Sequence, residues 1–127
     1  MYRNSLVIAA TLLCACTANR HIDGWYPVSD SAHIEGKVIA SVADFEAVVL
    51  DTTSIPGVAF IDGRLKPALI PKWTDATEQR IGKRIGFVYN DSVITAPTVH
   101  CRIESGSFTI NSNDRSLILR IYRSLTD

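Results

Sequence analysis

The sequence is short of most features that announce a function. It has three cysteines in 127 residues, Cys14, Cys16 and Cys101, and two of them fall within the first sixteen. The rest of the chain then holds Cys101 alone, and no intrachain disulfide is expected there. Charge of one sign is not in excess, since 13 Lys and Arg balance 13 Asp and Glu. A protein that grips nucleic acid by its phosphates carries a basic surplus, so nucleic acid is not an expected partner. No apolar run reaches the roughly 20 residues of a spanning helix. There is no GxSxG, HExxH, CxxC, P-loop or dinucleotide fingerprint. Gly82-Lys83-Arg84 lacks the glycine loop a nucleotide site needs, and no carboxylate pair sits in a setting apolar enough to tune one for acid–base work. No cofactor, metal or catalytic residue is therefore expected. Repeats and low-complexity segments are also missing.

What is present starts at the N-terminus. Met1–Asn4 carries one positive charge, Arg3, and residues 6–15 form a mainly apolar run of about ten residues, the length of a signal-peptide core. It ends in Leu13-Cys14-Ala15-Cys16. This resembles the lipobox of bacterial lipoproteins, with an aliphatic residue at −3, a small one at −1 and then the cysteine whose thiol takes a diacylglycerol. An ordinary secretory signal cut after Ala15 or Ala18 is the alternative. Residues 1–15 are thus read as a lipoprotein signal peptide and Cys16 as the lipid attachment. Residues 16–36 are read as the anchor, a polar tether and an aromatic lead-in, and residues 37–127 as the folded domain. Such a protein is exported, faces the periplasm and meets the membrane through its lipid. Thr17 stands where an aspartate would resemble an inner-membrane retention signal, which favours the outer membrane.

The body alternates strand and helix signals. Phe45–Asp51 is β-branched and apolar, a strand closed by Ile55-Pro56-Gly57. Leu69, Trp73, Ala76 and Ile81 mark a helix within residues 66–84, regular only from about Pro71 and stopped near Gly82. Ile85–Tyr89 and Val93–Thr95 make a hairpin around Asn90-Asp91-Ser92. Val99–Ile103 and Phe108–Ile110 are read as further strands, and Asp114 as the N-cap of a helix striped by Leu117, Ile121 and Leu125. The order is β-α-β-β-β-α, most simply an antiparallel sheet with both helices on one face.

The stretch from Trp73 to Ile110 resembles the head subdomain of the first periplasmic domain of SecD, a component of the bacterial protein translocase. The likeness rests on Trp73 and Thr77 on the helix, Ile81-Gly82, the strand Ile85–Tyr89 and the piece Val93-Ile94-Thr95-Ala96-Pro97. Val99, Ile103, Gly106-Ser107 and Ile110 complete it. It implies a ferredoxin-like α+β domain outside the cytoplasmic membrane, most similar to small standalone lipoproteins of Bacteroidetes-type bacteria. SecD itself works with transmembrane helices and an intramembrane proton-coupling carboxylate, which this sequence does not show. The expectation is a tethered head without a motor, and its glycine turn is reduced to Ser105-Gly106-Ser107.

His100, Cys101 and Glu104 invite a metal or nucleophile reading. On a strand, alternate residues face opposite ways. Cys101 would then be a core residue, while His100, Arg102 and Glu104 share a polar stripe open to a partner or simply to solvent. Trp25-Tyr26 is the other expected contact surface, and Trp73 is expected in the core. Arg80, Lys83 and Arg84 sit at a helix end, where they meet the dipole favourably; a phosphate or lipid-headgroup patch is the alternative. The leading reading is a non-enzymatic, lipid-anchored module binding envelope protein, with an exposed sheet edge such as Phe45–Asp51 or Phe108–Asn111 adding a partner strand. An enzyme, hydrolytic through His100, and a purely structural lipoprotein are the alternatives.

Overall fold

Short runs of strand formers broken by turn residues build seven strands and two helices in the computed structural model, which describes residues 20–127. They are β1 (Gly24–Val28), β2 (Ala40–Ser41), β3 (Phe45–Asp51), β4 (Phe60–Leu65), α1 (Ile70–Gln79), β5 (Arg84–Tyr89), β6 (Ser92–Thr95), β7 (Ser107–Asn111) and α2 (Arg115–Thr126). The class is α+β, as expected. The strands do not form one sheet, however, but two antiparallel ones, ordered β2-β1-β5-β6 and β3-β4-β7.

Three strands are unforeseen, β1, the two-residue β2 and β4, and the first and last of them make the difference. β1 lies inside the first sheet, and Gly24 to Val28 pair in unbroken register with Val88 to Arg84. The first sheet therefore already holds Gly24–Val28, upstream of Lys37, and Trp25-Tyr26 is no lead-in. Pro27 is tolerated there for a geometric reason. Its carbonyl accepts from Glu35 N at 2.9 Å, so its nitrogen also points away from β5, where a missing N–H breaks no ladder bond. β4 escaped notice because Asp62, Gly63 and Arg64 dilute its apolar signal. It pairs on both sides, with β3 and β7.

Val99–Ile103 is not a strand. Val99 makes an isolated pair of bonds, donating to Lys83 O and accepting from Gly82 N, both at 2.8 Å. Beyond it the backbone is held by helix side chains. Thr74 Oγ1 donates to Ile103 O at 2.9 Å, Ile103 N donates to Thr77 Oγ1 at 2.9 Å, and Thr77 Oγ1 donates to Thr74 O at 3.0 Å. Two threonines of α1 thus take the place of a neighbouring strand. Thr77 is fully buried. Thr77→Val keeps the shape but removes the acceptor, and is expected to cost about 1–3 kcal/mol. A lower urea midpoint at unchanged m, with faster exchange of the Ile103 amide, checks this. Unaltered Ile103 protection would count against the arrangement.

Trp25, Trp73, Phe87 and Phe108 meet at the centre of the core between the sheets and helices. α2 begins as expected, with the Asp114 carboxylate accepting from Leu117 N at 3.1 Å. A bond from Ser116 Oγ at 2.8 Å, and after it the one from Leu117 N, hold its pKa below the usual carboxylate range. The helix packs on β3 and β4. Ile118 and Ile121 are fully buried, and Leu117, Tyr122 and Leu125 lie alongside.

Candidate functional site

In the second sheet β4 is central, which leaves β3 as an edge along Phe45–Asp51. The β7 edge lies near the first sheet, tied by Thr95 Oγ1 donating to Asn111 Oδ1 at 2.8 Å. β3 offers its free side as a row of backbone donors and acceptors. Register with β4 sorts its side chains: Val48 and Leu50 lie opposite Gly63 and Ile61 on the core side, while Ala47 and Val49 lie opposite Arg64 and Asp62 on the outer face. Val49 is 62% exposed, an unusual setting for a large apolar side chain. On the core side a shallow groove of about 290 Å³ runs between β3 and the end of α2, walled by Val42, Phe45, Val48 and Leu125 together with the polar Glu46 and Thr126.

Acidic groups bracket the edge. Glu46 stands 3.6 Å from Arg64. Asp51 closes the strand by accepting from Ser54 Oγ at 2.6 Å, Ser54 N at 3.0 Å and Thr53 N at 3.1 Å. These bonds, the Ser54 hydroxyl first, hold its carboxyl below the ordinary range, so it stays ionised. Charges at an edge discourage indiscriminate strand pairing. The geometry is that of an open strand edge, with backbone groups unpaired by any neighbouring strand among the described residues.

The other expected contact residues fare differently. Trp25 and Tyr26 are 1% and 3% exposed, so they offer no surface. Trp25 faces the main core, whereas Tyr26 packs with Val28 and Val88 on the opposite side of the sheet. Burial raises the Tyr26 hydroxyl pKa, and its O–H donates to Ile22 O at 2.7 Å. His100, Arg102 and Glu104 are exposed, but on the loop pinned by α1, not on a sheet face. Arg102 pairs with Glu104 at 3.3 Å and lies 3.8 Å from Glu78. Cys101 is exposed, contrary to a core assignment, because the loop lacks the alternation that would bury it. Among the described residues no group of His, Cys, Asp and Glu is placed to hold a metal.

Arg80 also departs from expectation. Its guanidinium turns inward, donating through Nη2 to Val28 O at 2.8 Å and Arg84 O at 2.7 Å, with Glu35 at 3.2 Å. It clamps the end of α1 to β1 and β5 and leaves Lys83 exposed, with Arg84 half-buried beside it. Cys16 lies outside the described residues, as do residues 1–15, the stretch expected to be a leader.

The family model described as SecDF, P1 head subdomain, matches residues 17–117. A solved structure of SecDF, described as a membrane component that enhances protein export, is similar over 98% of this chain and 69% of its own, with a TM-score of 0.70 and 17% identity. SecDF crystallised in a super-membrane-facing form is similar over 72% of this chain and 12% of its own, with a TM-score of 0.59 and 22% identity. At such identities the likeness is one of fold. No curated protein matches the sequence.

Proposed function

The chain belongs to the SecDF P1 head subdomain family, and from that premise we propose that it is a non-enzymatic envelope module that binds protein and is held to its membrane by lipid on Cys16. The observation that carries the reading is the β3 edge. It joins free backbone groups, the exposed Val49 and a groove of mixed apolar and polar lining, the parts needed to seat an extended segment as an added strand. The Arg102–Glu104 loop, with His100, offers a second polar contact.

The anchor reading draws on the sequence. A signal-like run ends at Cys16, and β1 follows only eight residues later, at Gly24. Among the described residues no helix is long and apolar enough to cross a membrane. Export places the module in the periplasm, and Thr17 favours the outer membrane.

Both halves are testable in cells. A clickable fatty acid should label the protein and fail to label Cys16→Ala; equal labelling of both would overturn the anchor. A photo-crosslinking residue at Val49 should capture envelope proteins that the same residue at Lys83, on another face, does not. Equal capture at the two positions would overturn the β3 site.

A further inference from the structure

The segment just after the anchor cysteine is fastened to one particular end of the domain. His21 donates its backbone N–H to Asp91 Oδ1 at 3.0 Å and sets its ring Nδ1 2.9 Å from the same oxygen. These two contacts, the ring's first, hold the Asp91 carboxyl below the ordinary carboxylate range. Two residues on, Asp23 Oδ1 accepts from Asn90 N at 2.9 Å. Between them Ile22 O is held by the Tyr26 hydroxyl, and the His21 ring stands edge-on to Tyr26 at 5.6 Å. Residues 21–23 are thus strapped over the β5–β6 turn, Asn90-Asp91, ahead of β1.

Only five peptide links separate Cys16 from His21. Fully extended, they span at most about 18 Å. The opposite end of β5 carries Arg84, with Lys83 just before it, and lies a strand length away, roughly 17 Å at 3.3 Å per residue. We infer that the β5–β6 hairpin is the membrane-facing end of the domain and that the end carrying Lys83 and Arg84 lies away from the lipid to which the chain is tethered. The inference rests on Cys16 being the anchor. The exposed Ile22 sits in the strap itself, at the lipid side.

The test uses the full chain expressed as a lipoprotein, with exposed Cys101 changed to serine so that one new thiol can be labelled. Ser92→Cys marks the hairpin and Lys83→Cys the far end, each carrying an environment-sensitive fluorophore. The proteins are reconstituted into phosphatidylethanolamine–phosphatidylglycerol vesicles containing headgroup spin-labelled lipid. Quenching severalfold stronger at residue 92 than at residue 83 is expected. Asp91→Gly, which suits the left-handed backbone there and removes the carboxylate, should narrow the difference. Intact-mass measurement runs beside it. An acylated protein with equal or reversed quenching overturns the orientation and leaves the anchor standing. An acylated protein whose difference ignores Asp91→Gly overturns the strap as its cause. A protein without acyl mass overturns the anchor and the orientation with it.

Discussion

Trp25→Ala is expected to lower the unfolding free energy by about 3–5 kcal/mol, a large share of what a domain of this size has to lose. The indole is central to the aromatic group of the core. Its ring centroid lies 5.8 Å from Trp73, 5.7 Å from Phe87 and 5.7 Å from Phe108, mostly in edge-on or tilted contacts. Those partners come from α1, from β5 and from β7, so the side chain joins a helix and both sheets. Removing it opens a cavity that three separately anchored rings cannot close, because Trp73 is itself held by Nε1 donating to Ser107 O at 3.2 Å. The measurement is equilibrium urea unfolding, with loss of near-ultraviolet dichroism as a second readout of core packing. A midpoint close to that of the unaltered protein would show that the two sheets do not depend on this residue.

Trp25→Phe separates two contributions. Trp25 Nε1 is buried without a partner among the described residues, so phenylalanine removes an uncompensated donor as well as some apolar area. The first effect stabilises and the second destabilises. The loss should therefore be well under that of alanine.

How much of this was readable beforehand depended on where each residue finds its partner. α2 was legible to its cap because Asp114, Leu117 and Ile121 are local signals that meet on one helix. The β5–β6 hairpin was legible for the same reason. β1 was not, since an aromatic pair followed by proline reads as an approach to the fold unless one knows that β2 stops short of Pro27. The Val99–Ile103 misreading has a comparable cause. Its residues have strand character, but their hydrogen bonds go to Thr74 and Thr77, whose hydroxyls give no sign in the sequence of serving another segment. The errors about Trp25, Tyr26 and Cys101 follow directly from those two segments. The β3 edge, by contrast, was foreseeable, because a β-branched run ending in Asp51 and a glycine turn carries its strand identity locally. The strap was not, as its partners His21 and Asp91 are 70 residues apart.

The other large effect is expected at Gly63, in the middle strand of the second sheet. The Phe108 ring of β7 lies directly over it, so that a Cβ at this position would fall well inside contact distance of the ring. The glycine is used for space, because the strand needs no unusual backbone here. Phe108 cannot simply move aside, since it stacks on Phe45 at 4.4 Å and meets Trp25 and Trp73 on its other sides. Gly63→Ala is expected to cost about 1–3 kcal/mol through forced repacking, and Gly63→Val more. This runs against the usual preference for alanine or valine over glycine in a strand. A double-mutant cycle with Phe108→Leu isolates the cause. If the ring is what the methyl group meets, the pair should be less destabilised than the sum of the single changes, with a coupling of at least about 0.5 kcal/mol. Simple additivity would mean that the Phe108 ring is not what forbids a side chain at residue 63.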